Sequence, residues 1–150
     1  LEEGETFSVS CWIRTANSVD ANNRPVDKQL PSGSFNGWYI TFGSNSEASF
    51  GVNTQNGEQD ITGTTSINDG SWHHVVGVYE ASGNQVLYVD GVEEASTASP
   101  GETVSTEADL TFGQRQDGQA EYRGDLDEVK FFDKVLSSTE VSDLNTNGQI

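Results

Sequence analysis

The chain has 150 residues with 7 Lys and Arg against 24 Asp and Glu, so its formal net charge is −17. This length suits one domain, residues 1–150, with a single hydrophobic core. The negative charge repels nucleic-acid phosphates and anionic membrane surfaces, and no apolar run is long enough to span a membrane, so neither class of partner is expected.

Alternating apolar and polar residues predict short β-strands along most of the chain. In the first strand, the odd-numbered residues from Phe7 to Ile13 face the core, and Trp12 and Arg14 face away from it. In the third, Trp38 to Phe42, the even-numbered residues face the core. Residues 17–36 and 54–71 are polar and are predicted to be connections, apart from one short strand at 25–29. The predicted strands are residues 7–14, 25–29, 38–42, 49–53, 72–80, 85–89, 92–97, 109–113 and 122–132.

One hairpin and one helix have clear local signals. Asp90-Gly91 is the strongest hairpin turn, because a type I′ turn needs positive φ at both central residues. Ser137–Leu144 is the one predicted helix, since Ser137 and Glu140 have the spacing of a capping box. About nine short strands with such turns predict an all-β fold, an antiparallel sandwich or barrel, with this short C-terminal helix.

Several segments carry a family resemblance through their order and spacing. They are FSVSCWIR at 7–14, GWY at 37–39, DGSWHHVVGVY at 69–79, LYVDG at 87–91, GDLDEVKFF at 124–132 and LSSTEV at 136–141. Together they resemble the laminin-G-like domains of the concanavalin A-like lectin/glucanase superfamily. The resemblance implies a jelly roll of two curved antiparallel sheets and a mostly non-catalytic module that binds glycans or proteins outside the cell. It also implies calcium, although the family normally opens with another strand and a loop that commonly supplies calcium ligands, which this chain is expected to lack.

Asp125 and Asp127 are the candidate metal ligands. Strand alternation would place Asp127 on the apolar face of Val129 and Phe131, where a carboxylate must be hydrogen-bonded, paired or bound to metal. Asp125, two residues earlier, would share that face, and calcium prefers oxygen ligands of this kind. The alternative is that Asp127 only accepts hydrogen bonds from neighbouring backbone N–H groups or meets an arginine.

Catalytic constellations are weak in this sequence. His73 and His74 are adjacent on a strand, face opposite ways and therefore cannot chelate one metal together. Cys11, the single cysteine, lies on the core face, where a thiol is inert. No nucleophile elbow is present, and no strand carries the alternating acids of the related glucanases. We therefore predict that the domain is not an enzyme.

Glycan binding needs flat aromatic faces and polar side chains that bind hydroxyl groups. Tyr39 and Arg14 are predicted to face away from the core, with His74 and Tyr88 as possible neighbours on that second face. The alternative is that long polar segments cover the aromatic residues, and for Trp12 this cover is the favoured expectation.

The loops at 17–23, 43–46 and 114–119 are predicted to share one rim of the sandwich. In the last of them, Gln114, Arg115 and Asp117 are candidate ligand contacts, because binding residues are often carried on loops held by a rigid scaffold. The alternative is that these loops are only solvated connections.

The leading functional prediction is a non-catalytic carbohydrate-binding module, secreted or at the cell surface, which acts through the sheet face or the loop rim with possible help from calcium. A neutral glycan is favoured over a uronate or sulfated one, because a protein of this charge repels anions. A protein-interaction or adhesion module is the alternative, and an exposed apolar patch would indicate it. An accessory domain of a larger glycan-active enzyme would use the same binding chemistry.

Overall fold

The computed structural model describes residues 6–30, 36–103 and 107–148. This part of the chain forms ten strands and one helix. In chain order they are β1 (Phe7–Arg14), β2 (Val26–Gln29), β3 (Gly37–Phe42), β4 (Glu47–Thr54), β5 (Gly57–Ser66), β6 (Trp72–Tyr79), β7 (Asn84–Val89), β8 (Val92–Ala98), β9 (Thr111–Phe112), β10 (Asp125–Phe132) and α1 (Ser138–Asn147).

The strands form two five-stranded antiparallel sheets that face each other. The first sheet has the order β10-β1-β6-β7-β8, and the second has the order β5-β4-β3-β2-β9. Strands that follow one another in the chain, such as β6, β7 and β8, pair as hairpins, whereas β1 lies between β10 and β6. The predicted all-β fold of two antiparallel sheets with one short helix is confirmed.

The core lies between the sheets and contains the inward-facing residues that alternation predicts in β1 and β3. Phe7 is at its aromatic centre, with its ring centroid 5.6 Å from that of Trp38 and 5.7 Å from that of Tyr79. The Phe50 ring meets Phe7 edge-on and also lies against Gly77, where an added Cβ would be 2.7 Å from the Phe50 ring. A side chain at position 77 would therefore collide with the core.

Strand β5 is the main departure from the sequence-based prediction, which treated residues 54–71 as a connection. It is an edge strand of the second sheet and pairs with β4 alone. Only Ile61 in it is a buried apolar residue. The strand therefore lacks the repeated apolar alternation by which half-buried strands are recognised.

Helix α1 packs on the outer face of the first sheet, away from the core. The predicted capping box is present. The Ser137 hydroxyl accepts a hydrogen bond from the Glu140 backbone N–H, and the Glu140 carboxylate accepts one from the Ser137 backbone N–H. Val141 and Leu144 are buried against Val76 and Tyr88. The helix thus covers the middle of a face that alternation alone would leave exposed.

Candidate functional site

The predicted ligand-binding residues are divided between the two sheets. Arg14, His74 and Tyr88 belong to the first sheet, and Tyr39 belongs to the second. Their side chains point away from the core, so the core separates Tyr39 from the other three. The prediction that they share one binding face is therefore wrong.

Tyr39 is 2% exposed and is covered on both sides of its ring. The guanidinium carbon of Arg24 lies 3.4 Å from the ring centre, and Gly51 lies beneath the ring, where an added Cβ would be 2.2 Å from it. The phenol oxygen is hydrogen-bonded to Glu58 and, at 2.7 Å, to Asp60. Burial, with the charge of Asp60, raises the pKa of Tyr39, so the phenol stays protonated and donates. Its ring is not free to stack on a sugar, which corrects the predicted role.

His74 and Tyr88 are also buried, at 1% and 7% exposure. His74 Nε2 lies 2.8 Å from Ser10 Oγ, and its ring centroid is 5.0 Å from that of Trp12. Burial lowers the pKa of His74 to about 4, so its imidazole is neutral at pH 7. Tyr88 packs in the apolar cluster under α1. Because α1 and Trp12 cover this face, neither residue is positioned for the predicted ligand contact.

The first two predicted rim loops, at 17–23 and 43–46, meet at one end of the sandwich. The Val19 backbone N–H donates to Ser46 Oγ at 3.1 Å, which joins the first loop to the second. The Arg24 backbone N–H donates to the Ala120 carbonyl at 2.9 Å, which joins the first loop to the segment that follows the third. Polar side chains on two of these loops and on the sheet line a cavity of about 380 Å³, which we call the rim groove. They include Asp20, Asn22, Thr41, Ser49, Asp60 and Thr62.

The candidate contacts at 114–119 lie outside the rim groove. Arg115 and Asp117 form an ion pair at 2.8 Å. That pair lowers the pKa of Asp117 and is the main cause that raises the pKa of Arg115. Gln114 is exposed, and its backbone carbonyl accepts a hydrogen bond from Thr111 Oγ1 at 2.6 Å. A ligand role for these three residues stays a prediction.

A larger cavity, of about 480 Å³, opens on the outer face of the first sheet beside the end of α1. We call it the tryptophan cleft, and its lining is Trp12, Trp72, Asp127, Glu128 and residues 145–148. Trp12 pairs across the strands with Asp127 of β10, and Trp72 is 38% exposed. Indole rings, carboxylates, amides and a hydroxyl therefore surround one opening. Trp12, which was expected to lie under a polar loop, is only half-buried.

Arg14 supports the cleft from one side. Its guanidinium Nη2 lies 2.8 Å from Asp125 Oδ2, and its Cζ is 4.8 Å from the centre of the Trp72 ring. The carboxylate holds the guanidinium, and the guanidinium in turn orients the indole through a cation–π contact. Arg14 thus lies beside the candidate site, with its charge already engaged.

His73 is linked to the cleft through Asp90. Its Nδ1 lies 2.8 Å from Asp90 and its Nε2 3.1 Å from Asp69. The Asp90 backbone carbonyl accepts a hydrogen bond from Asn145 Nδ2 at 3.2 Å, which ties the β7–β8 turn to the end of α1. Burial alone would lower the pKa of His73, but the two aspartates outweigh it and leave this pKa above its ordinary value. His73 and His74 therefore have different partners, as expected for adjacent strand residues.

Asp127 does not lie on the apolar face of β10, which corrects the sequence-based prediction. The pairing of β1 with β10 shifts between Ser10 and Trp12, and Glu128 has a φ of 46°, so a bulge interrupts the alternation. Asp127 is exposed opposite Trp12, and its Oδ1 accepts a hydrogen bond from the Glu128 backbone N–H at 2.7 Å.

These carboxylates do not fit a calcium site on their own. Calcium takes six to eight oxygen ligands, whereas Asp125 is paired with Arg14. Within residues 6–30, 36–103 and 107–148, no group of three or more His, Cys, Asp or Glu side chains could hold a metal ion. Calcium binding at Asp125 and Asp127 stays a prediction.

Trp72 and the residues at the end of α1 were not among the predicted binding residues. The sequence signal of Trp72 was present, because Trp72 is two residues before His74 and so points to the same side of β6. The end of α1 had no comparable signal, since the place where a helix docks on a sheet is not a local property.

A two-sheet, lectin-like β-sandwich is the class of protein that this fold and its cleft define. The chain belongs to the concanavalin A-like lectin/glucanases superfamily, in which a laminin-G family model matches residues 1–142. The expected family and jelly-roll fold are thereby confirmed. In the described part of the chain, no helix is long and apolar enough to cross a membrane.

Known proteins show the same relationship. The chain is 31% identical over 99 residues to sushi, von Willebrand factor type A, EGF and pentraxin domain-containing protein 1 of Rattus norvegicus, a match that covers 59% of this chain and 3% of that protein. The binding domain of Paraclostridial Mosquitocidal Protein 1 has a TM-score of 0.77 at 17% identity, covering 96% of this chain and 37% of that one. The binding domain of botulinum neurotoxin DC in complex with SialylT has a TM-score of 0.69 at 23% identity, covering 97% and 36%. The chain thus spans only a small part of its curated relative, and the structural likenesses establish the fold.

Proposed function

We propose that this chain is a non-catalytic, lectin-like carbohydrate-binding module and that the tryptophan cleft is its binding site. The observation that carries the proposal is the exposed indole of Trp72 in a cleft that also contains Trp12 and polar side chains. Sugar rings present apolar C–H faces that pack on aromatic rings, and their hydroxyl groups bind carboxylates and amides. Asp127, Asn145 and Asn147 supply such groups around the indole.

Two further observations support binding without catalysis. The carboxylates in the cleft are exposed, whereas the general acid of a glycoside hydrolase lies where its surroundings keep it protonated. The structural relative named above that was solved with SialylT is a binding domain of the same fold. The proposed chemistry is therefore stacking and hydrogen bonding, with no bond made or broken.

An extracellular or cell-surface setting is part of this proposal. The similarity to a segment of a protein named for sushi, von Willebrand factor type A, EGF and pentraxin domains supports it.

The test is retention on immobilised glycans by three proteins: the wild type, Trp72→Ala and Asn22→Ala. Trp72→Ala removes the exposed indole and should abolish retention while the unfolding midpoint stays close to that of the wild type. Asn22→Ala changes the rim groove and should leave retention unchanged. The reverse result would move the site to the rim groove, and retention by neither the wild type nor the variants would refute carbohydrate binding.

A protein-interaction module is the second candidate, because apolar side chains are exposed along one open side of the sandwich. Phe112 in β9 is 51% exposed and Phe131 in β10 is 41% exposed. Phe131 lines a cavity of about 420 Å³ with Trp38 and Leu110. If this surface binds a second copy of the chain, sedimentation velocity should show dimers that the double variant Phe112→Ser, Phe131→Ser lacks.

A further inference from the structure

We infer that the tryptophan cleft selects a ligand with a positively charged amine, and that the glycan it binds is an amino sugar with a free ammonium group. This inference rests on the proposed function and adds to it the chemical class of the ligand. Three features of the cleft carry it: the charge of its lining, the position of its indole rings and the end of α1.

The charged groups that line the cleft are both carboxylates, Asp127 and Glu128. The nearest cation to Glu128 is Lys130, whose Nζ lies 2.8 Å from Glu128 Oε2 and 2.6 Å from the Gly148 carbonyl, so it compensates that carboxylate. Arg14 is likewise compensated by Asp125. Among the described residues this leaves Asp127 as an exposed carboxylate, with its Oδ1 accepting a hydrogen bond from the neutral backbone N–H of Glu128. The cleft therefore carries a net negative charge.

The indole rings favour a cation at the same place. Trp12 lies directly across the strands from Asp127, so a group above this pair meets a carboxylate and an aromatic ring together. An aromatic face attracts ammonium groups through its quadrupole, and Trp72 already holds the Arg14 guanidinium in this way. His74, which stacks on Trp12, is neutral at pH 7 because burial lowers its pKa to about 4. It brings no competing positive charge.

The third wall of the cleft is the C-terminal end of α1. Helix C-termini carry partial negative charge, and the last turn of α1 itself has no basic residue, although Lys130 of β10 donates to the carbonyl of the C-cap residue Gly148. Asn145, Thr146 and Asn147 line the cleft here and offer an amide or a hydroxyl group to sugar hydroxyls. An ammonium group near Asp127 and a sugar ring along the helix end would satisfy both parts of the site.

The experiment compares two tetrasaccharides of the same linkage, β-1,4-linked glucosamine, which carries an ammonium group on each sugar, and its fully N-acetylated counterpart, which carries an uncharged acetamide there. Isothermal titration calorimetry should show glucosamine binding on the order of tenfold more tightly, with the advantage shrinking as salt is added. Asp127→Asn keeps the shape and the hydrogen bond from the Glu128 N–H, so it should remove the preference and leave the weaker binding of the N-acetylated sugar. Asp109→Asn makes the same change at an exposed residue outside the cleft and should keep the preference.

The possible results separate the inference from the proposed function. Equal affinity for the two sugars, lost in Trp72→Ala, would overturn amine selection and uphold carbohydrate binding in the cleft. No binding of either sugar would overturn amine selection, whereas carbohydrate binding itself would be refuted only by the loss of all retention on the immobilised glycans described above. A lysine derivative with blocked backbone groups that binds as tightly as glucosamine monomer would overturn the sugar part, because the cleft would then recognise the amine alone.

Discussion

The two histidines of this chain are neighbours, and we predict that they change its stability with pH in opposite directions. His74 is 1% exposed, and its pKa falls to about 4. His73 is held between Asp69 and Asp90, and its pKa rises above the ordinary value. The perturbations are His74→Gln and His73→Gln, which place the same non-ionising side chain at each position.

The sign follows from which state binds more protons. The unfolded chain takes up a proton at His74 near pH 6.5, but the folded chain does so only near pH 4, so His74 makes the fold less stable as the pH falls through this window. The full difference corresponds to about 3 kcal/mol, and about 2 kcal/mol of it falls between pH 7 and pH 4.5. For His73 the folded pKa is the higher one, so its contribution is present below its unfolded pKa and is lost as the pH rises through the folded pKa.

The assay is urea denaturation of the three proteins at several pH values, followed by tryptophan fluorescence. From pH 7 to pH 4.5, the free energy of unfolding of the wild type should fall by about 2 kcal/mol relative to that of His74→Gln. As the pH falls from 8 towards 5.5, the free energy of unfolding of the wild type should rise relative to that of His73→Gln. Because the chain has only two histidines, their proton resonances can also be titrated individually. A His74 resonance that titrates near pH 6.5, or parallel stability curves for both variants, would refute the reasoning.

Three further predictions concern the sheets and the helix. Asp27 is 0% exposed with Oδ2 unpaired, and burial raises its pKa to about 6. Because the unfolded chain loses this proton at lower pH than the folded chain, the free energy of unfolding should fall by about 3 kcal/mol as the pH rises from 3 to 7. Asp27→Asn should remove this loss when urea denaturation is measured at both pH values, and an unchanged loss would assign it to other groups. Gly77→Ala drives a Cβ into the Phe50 ring and should cost about 1–3 kcal/mol, visible as a lower unfolding midpoint; an unchanged midpoint would show that the core yields there. Leu144→Ala empties a buried site under α1 and should lower the free energy of unfolding by about 2–5 kcal/mol. Val135→Ala, at an exposed residue, should lower it far less.

Alternation predicted which side chains enter the core in β1 and β3, because the core-facing side of each of these strands is apolar. Phe7 to Ile13 in β1 and Trp38 to Phe42 in β3 occupy the core as expected. The same rule did not reveal β5, whose inward side is mostly polar. It also misplaced Asp127, because a bulge changes the direction of the following side chains and has no signature in a sequence of this kind.

Predictions of the binding face were less successful because exposure depends on what packs over a strand. Tyr39 faces away from the core as predicted, but its ring is not exposed, because Arg24 lies over it and Gly51 lies beneath it. Outward-facing His74 is covered by Trp12. Alternation reports the side of the sheet on which a residue lies, whereas the cover is formed by residues distant in sequence.

The position of the tryptophan cleft follows from the length of α1. The ten residues of this helix span about 15 Å, enough to cover the apolar residues Val76 and Tyr88 but not the whole outer face of the first sheet. Where the helix ends, that face changes from buried apolar residues to the more exposed indole rings of Trp12 and Trp72 and the carboxylate of Asp127. A face that was apolar throughout would need a longer cover, and one that was polar throughout would not hold the helix. The cleft therefore arises because the change in side chains along the strands coincides with the end of the helix that packs on them.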